Sequence, residues 1–459
     1  MKKVDVIIVG SGIAGLRAGI ACLEKGLDVV ILEKMNKPGG NTSLSDGGVA
    51  APGADLQMKR GIEDSVDRLK KDMLTAGKGL NDEALVDVVA SNALDAYEWT
   101  KAIGVAYMDR IDIFGGHSVP RCYTPESLSG RTTIQKASER FTSLGGTIET
   151  KTYVSELLKN DKGRINGVKT HHPYTFKKPL PEQTGFFKAK KGVIITSGGF
   201  SADMAFLKTY NPELSDSIDT TNIRSATAEV LKSAMSLGAD TRDMDQISLA
   251  PWTSPDENGF GDGPKFADYI ALPRGILVRP DKTSRFINEL SDRNTISHAI
   301  LSVGKPVVAI ADDGAVRNAS MDLDKALKKG VVKTFESLET LSEHYGLNKT
   351  HLKDTVDTFN ESVKSKKDAT YGKPLEDATP INTPPYYAMR IWPKVHYTMG
   401  GLRIDSQARV LKKDGSLMEG LFAAGEVTGG VHGAARLGSL GLTDCLVMGK
   451  IAANSIDEQ

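Results

Sequence analysis

The chain has 459 residues, about three times the ~150 of an average domain, and 40% of it is hydrophobic, enough for a large core. Lys+Arg and Asp+Glu both total 58, so no cationic surplus is available to neutralise phosphates, and nucleic acid is excluded as an expected partner. Three scattered cysteines, Cys22, Cys122 and Cys445, exclude a zinc ribbon, an iron–sulfur ligand set and a disulfide framework, and no metal site is expected.

Residues 4–9 form a nearly continuous apolar run, the signature of a parallel strand buried on both faces. Met1-Lys2-Lys3 leads straight into it without a signal peptide. A cytoplasmic protein is therefore expected, or a periplasmic one if a leader was removed. The loop Gly10-Ser11-Gly12-Ile13-Ala14-Gly15 follows, then a helical pattern through Leu16, Ile20 and Leu23, then the apolar stretch Val29–Leu32 ending in Glu33 and Lys34. This is a complete dinucleotide-binding unit. Gly10 permits the tight turn, Gly12 lets backbone approach a pyrophosphate, and Gly15 lets helix and strand pack closely. Ile13 and Ala14 open the helix whose N–H groups face the phosphates, and Glu33 would accept from a ribose diol.

The next loop, Pro38-Gly39-Gly40-Asn41-Thr42-Ser43-Leu44-Ser45-Asp46-Gly47-Gly48, brackets small hydroxyl side chains between glycine pairs. Such a loop suits backbone lying along a second, longer prosthetic group. Together, residues 10–15, Glu33 and residues 39–48 resemble the FAD-binding half of the fumarate reductase and succinate dehydrogenase flavoprotein family. The resemblance is to its soluble flavocytochrome c-type fumarate reductase and urocanate reductase branch. Respiratory members attach flavin covalently to a histidine in this loop. Aligning on Gly47-Gly48 places Asn41 there, so the resemblance implies FAD bound without a covalent bond, with Gly39, Gly40, Thr42 and Ser45 as further contacts.

Helical periodicity through 81–103 predicts one helix, and Gly115-Gly116-His117-Ser118 resembles a turn found near the flavin in this family. A strand is predicted between Thr147 and Leu158, with Val154 implied to meet the adenine through its backbone. Residues 192–199 read as a buried strand closing on Ser197-Gly198-Gly199, the implied second phosphate-side turn. From about 248 to 395 strands shorten, Pro and Asp become frequent, and amphipathic helices are predicted near 321–346. The expected fold is thus α/β: a discontinuous Rossmann-like FAD-binding domain, 1–247 and 396–459, with an inserted α+β capping domain, 248–395. No apolar run approaches the roughly 18 residues of a membrane span.

The resemblance implies hydride transfer to an enoate whose carboxylate is held by cations, because negative charge develops toward that carboxylate. The segment Arg285-Phe286-Ile287-Asn288-Glu289-Leu290-Ser291-Asp292-Arg293 resembles the family's segment ending in a proton-donating arginine, here Arg293. Spacing alone would make Arg293 a surface ion pair. His396, in His396-Tyr397-Thr398-Met399-Gly400-Gly401, and Arg436 are implied to grip the carboxylate. Gly425 and Glu426 are implied at the ribityl chain, and Gly441 and Leu442 at the pyrimidine edge of the flavin. His432 reads as structural.

The departures narrow the substrate. Where fumarate reductases bind the second carboxylate with a histidine, this sequence has Ala250, with Trp252 beside it. The family's Thr-Glu pair, part of its second-carboxylate site and proton relay, falls near Asp268-Tyr269; Phe266 then sits where a methionine packs, and Arg274 is a nearby cation. An unpaired carboxylate in a closed cleft costs roughly several kcal/mol. The expected reaction is therefore FAD-dependent reduction of a 2-enoate other than fumarate, with an aryl or apolar tail, of urocanate or cinnamate type. Desaturation of a carboxylic acid by a dehydrogenase or oxidase, or service as the flavoprotein subunit of a larger redox complex, are the alternatives. The chain has neither a Cys-x-x-Cys-His haem motif nor a second dinucleotide fingerprint. Electrons are expected from a cytochrome, an FMN protein or another carrier.

Overall fold

The computed structural model describes residues 2–176, 178–214, 218–319 and 321–456. Its contacts divide the chain into two compact units: Met1–Leu214, Asn222–Ile247 and Tyr397–Gln459 form the first, Ser215–Thr221 and Ser248–His396 the second. The expected boundaries placed residues 215–221 and His396 in the first domain. Backbone pairing explains the difference: Thr221 N–H donates to Val395 O (2.8 Å) and Val395 N–H to Asp219 O (2.9 Å).

The first unit is built on a sheet of eight strands: β1 (Lys2–Val9), β2 (Val29–Leu32), β3 (Thr147–Glu149), β4 (Tyr153–Lys159), β5 (Ile165–His171), β6 (Thr184–Ile195), β7 (Arg409–Leu411) and β8 (Leu417–Ala423). Its order is β7-β8-β6-β1-β2-β3, and β5 joins β4 to the front half of β6. The strands β8, β6, β1, β2 and β3 run parallel. Their register aligns Val9 with Leu32 and Ile195, and Ile195 with Ala423. Four loops therefore leave the sheet at one edge, where α/β sheets bind ligands. Helix α1 (Ile13–Glu24) buries Ile13 through Cys22, and α2 (Leu440–Ser455) packs against it. A Cβ at Gly449 would approach Ala14 O to 2.5 Å.

Three elements differ from expectation. The helix over 81–103 is two, Glu83–Ser91 and Ala93–Ala102, because the Asn92 side chain turns back onto Val88 O (2.8 Å) and competes with the helical ladder. The strand between 147 and 158 is split into β3 and β4 around Lys151, whose φ is 55°. Strand β6 begins at Thr184, eight residues before Gly192, and its Lys-rich front half alternates exposed and covered positions while pairing antiparallel with β5.

The second unit carries an antiparallel sheet in the order Ile276–Val278, Val307–Asp312, Tyr386–Ile391, Lys333–Phe335. Alternate residues of Val307–Asp312 enter two apolar cores. Val307, Ala309 and Ala311 pack with Phe266, Ile270 and Met389, whereas Val308 and Ile310 pack with Leu341, Leu352 and Phe359. Phe359 sits on the helix Lys349–Ser365, which lies beyond the amphipathic stretch read at 321–346. Among the described residues no helix is long and apolar enough to cross a membrane.

Candidate active site

The loops at the aligned strand ends form a cleft in the first unit. Gly10, Gly12, Ile13, Ala14, Glu33, Lys34, Gly40, Asn41, Thr42, Val154, Ser197, Gly198, Gly425 and Glu426 all line it. Gly10 has φ 106°, and a Cβ there would sit 2.5 Å from Thr196 O. Position 12 is different: the nearest atom to a Cβ would be Thr42 Oγ1 at 3.9 Å, so Gly12 presents open backbone to the cleft. Gly12 also caps α1 without a side-chain bond, and no acidic residue occupies the first turn. The positive end of α1 is thus offered to an anion.

Glu33 is buried and accepts Ser11 N–H (3.1 Å) and Ser11 Oγ (2.5 Å) on Oε2, and Met35 N–H (2.8 Å) on Oε1. A carboxylate has about four acceptor positions, so one remains for a ribose hydroxyl. Glu426, with its pKa raised by burial, receives Thr398 N–H (3.2 Å) and Asn41 Nδ2 (3.4 Å). Asn41 Oδ1 accepts Ile223 N–H at 3.0 Å, which draws the segment 222–230 to the cleft. Lys34 Nζ bonds Thr227 Oγ1 (2.7 Å) and Glu229 (3.1 Å) there. Ser225, Ala226, Glu229 and Cys445 line the cleft without having been read from the sequence, since no spacing marks them.

Gly15, Gly39, Ser45, Gly47, Gly48 and Gly199 shape the loops rather than line the cleft. A Cβ on Gly15 would meet Thr196 Oγ1 at 2.7 Å, one on Gly47 would meet Gly130 Cα at 3.0 Å, and Ser45 Oγ donates to Thr42 O (2.8 Å). Gly441 and Leu442 open α2.

Arg436 precedes that helix. Its guanidinium lies 4.8 Å from the Tyr397 ring and Nη1 donates to Leu437 O (2.7 Å), while buried Nε has no partner. Among the described residues no carboxylate forms an ion pair with it. Tyr397 Oη is likewise buried without a partner, and burial raises its pKa well above 10. His432 packs edge-on to Tyr397 (5.7 Å), with Nε2 3.5 Å from Asp444 but outside hydrogen-bond alignment.

In the second unit, the half-buried Trp252 ring meets the Arg293 guanidinium (5.1 Å) and the His396 ring (5.9 Å, 72°). Thr221 Oγ1 contacts His396 Nδ1 at 2.9 Å. Arg293 starts the helix Arg293–Val303, capped by Asp292. Ala250 is fully buried. Trp252 also packs against the apolar core that contains Phe266. Phe266 is 0% exposed within the apolar core, whereas Asp268 and Tyr269 face solvent on the π-helical turn Ala267–Ala271. Phe266 turned inward because the turn presents residues 266, 267, 270 and 271 to the core. Arg274 Nη1 donates to Tyr269 O (2.9 Å).

A family model described as FAD binding domain matches residues 5–442. The chain belongs to that family. Its relatives include the acrylate reductase flavoprotein subunit of Shewanella woodyi, 36% identical across 98% of this chain and 91% of that protein. The urocanate reductase of Eggerthella lenta is 34% identical across 98% and 74%. Among solved structures, the open conformation of a flavocytochrome c3 fumarate reductase superimposes with a TM-score of 0.85 at 29% identity, covering all of this chain and 78% of that one. The chain is a fumarate-reductase-like, FAD-dependent oxidoreductase acting on carbon–carbon bonds. The cleft fits FAD on three counts: the uncapped α1 terminus, the remaining acceptor position on Glu33 and the open face at Gly12.

Proposed function

We propose that this protein reduces the double bond of a 2-enoate bearing one carboxylate, with a tail that carries no second one. The observation that carries this reading is the Trp252 ring between Arg293 and His396, two residues beyond the buried Ala250. An aromatic face with a buried methyl group beside it offers no partner to a distal carboxylate, whose unpaired burial costs roughly several kcal/mol. The relatives named for acrylate and urocanate reduction support it.

FAD would be held without a covalent bond, since Asn41 stands where a histidine would attach it, by the α1 terminus, Gly12 and Glu33, and when bound would supply hydride chemistry to the enoate. Arg436 binds the reactant carboxylate through its guanidinium, using the Nε–H that lacks a protein acceptor. His396, oriented by Thr221 at Nδ1, gives a second contact to the same carboxylate. Arg293 delivers the proton to the α-carbon, completing the saturated acid, and Trp252 packs against the tail and excludes water. Electrons come from a separate carrier, a cytochrome or FMN protein.

The test is anaerobic. Holoprotein reduced with dithionite is mixed in turn with acrylate, cinnamate, urocanate and fumarate, and flavin re-oxidation is followed. Faster re-oxidation by a monocarboxylate is expected. Fumarate outpacing all three would overturn the substrate class, and no re-oxidation by any enoate would overturn the reductase reading.

A further inference from the structure

The turn joining Arg436 to α2 is held by a group outside the cleft. Ser439, the residue before that helix, has φ 57°, a left-handed conformation that costs about 1 kcal/mol or more for a residue with a Cβ. Such a turn persists only if its surroundings over-determine it. Here Gly438 O accepts His117 Nε2 at 2.8 Å and Leu440 N–H at 2.7 Å, and Gly438 N–H donates to Gly115 O at 3.1 Å. A Cβ on Gly116 would strike Leu437 at 2.5 Å, so the 114–117 loop packs directly on this turn.

His117 is itself fixed from behind. Arg121 Nη1 lies 3.0 Å from its Nδ1, and Arg121 is completely buried between Asp64 (2.8 Å from both Nε and Nη2) and Asp72 (2.5 Å). A guanidinium can only donate and a carbonyl can only accept. Nδ1 must therefore be the bare nitrogen and Nε2 must carry the proton. The charged groups facing the ring are Arg121, Asp72 and Asp64; on its other side are the backbone of the turn and the buried Cys122 thiol, which shares Gly438 O (3.9 Å) and is kept neutral by burial. Burial, with Arg121 beside it, lowers the imidazole pKa to about 4, against the pull of the Gly438 carbonyl.

We infer that His117 is a positioning residue: as a neutral Nε2–H imidazole anchored by Arg121, it holds the Gly438 carbonyl and so places Arg436 and the first residues of α2. The inference rests on the reading of Arg436 as the carboxylate-binding residue. Replacing His117 leaves the Gly438 carbonyl with only the weak, distant Cys122 Sγ (3.9 Å) as a side-chain donor and Arg121 Nη1 without one acceptor, and the strained Ser439 relaxes.

Two measurements on FAD-loaded protein test it. In ¹⁵N-histidine-labelled protein, with the signal assigned through His117→Gln, the ring should remain the neutral Nε2–H tautomer from about pH 5.5 to about pH 8. An Nδ1–H ring, or titration near the ordinary value, would overturn the inference. Propionate binding, read from the flavin spectrum, should weaken roughly 10-fold in His117→Ala and recover to within about 3-fold in His117→Gln, which restores a donor. Equal affinity in all three proteins, or no recovery with glutamine, would also overturn it. If propionate leaves the wild-type spectrum unchanged, the substrate reading of Arg436 falls, while the tautomer still decides the state of His117.

Discussion

Each unit contains an arginine locked by carboxylates and an arginine laid on an aromatic ring. In the first unit Arg121 is enclosed by Asp64 and Asp72, whereas Arg436 lies on Tyr397. In the second, Arg285 lies on the Phe359 (5.3 Å) and Tyr371 (5.0 Å) rings and is also gripped by Glu289 (2.7 Å) and Asp368 (2.9 Å), whereas Arg293 lies on Trp252. Under the proposed function the difference would separate scaffold from chemistry. A guanidinium whose donors end on carboxylates has its charge neutralised in place. Arg436, which forms no ion pair with a carboxylate among the described residues, rests its guanidinium on a ring face instead.

The largest effect should come from breaking a locked arginine. Arg285→Ala leaves Glu289 and Asp368 buried beside Lys373 with one cation removed, and should cost about 3–5 kcal/mol in denaturant unfolding. A loss under about 1 kcal/mol would mean the cluster is solvated rather than structural. Arg293→Gln should next lower kcat about 10²–10⁴-fold while FAD stays bound, the span for a general acid. Wild-type turnover would remove Arg293 from the chemistry and leave it as a helix-end residue.

For the other ring-supported arginine, Arg436→Met keeps the stem over Tyr397 but removes the charge. It should lower kcat/KM about 10²–10³-fold and abolish the spectral response to carboxylates. A change confined to folding stability would place Arg436 with the locked pair. The last effect concerns pH. The folded pKa of His117, lowered from 6.5 to about 4, makes the native state bind fewer protons than the unfolded chain between those values. Its contribution is therefore complete above pH 6.5 and lost as pH falls toward 4, at most about 3 kcal/mol. His117→Gln should flatten the unfolding free energy over that window, and an unchanged slope would assign it to other groups.

Legibility followed the range over which each feature is specified. The strand, Gly10–Gly12–Gly15 loop, α1 and Glu33 could be read because turn, close approach and acceptor lie within one local unit, and 14 of the predicted cofactor residues line the cleft. The segment 222–230 was not legible. It enters the cleft through Ile223 N–H on Asn41, a bond spanning 182 residues with no periodicity to announce it. Phe266 illustrates the reverse error, since an aromatic beside a candidate relay reads alike whether its turn faces a reactant or the core.

The amino-acid order alone therefore determined the cofactor class, the parallel α/β framework and the chemical kinds of residue available for a carboxylate. Backbone conformation at glycines and alternation along strands act over a few residues, and their effects do not wait for the rest of the chain. Which carboxylates enclose Arg121 and which ring supports Arg436 was decided only by tertiary packing. Asp64 meets Arg121 across 57 residues, and His117 meets Gly438 across 321. Such pairings depend on which surfaces the folded units bury together, a global outcome that no local pattern encodes.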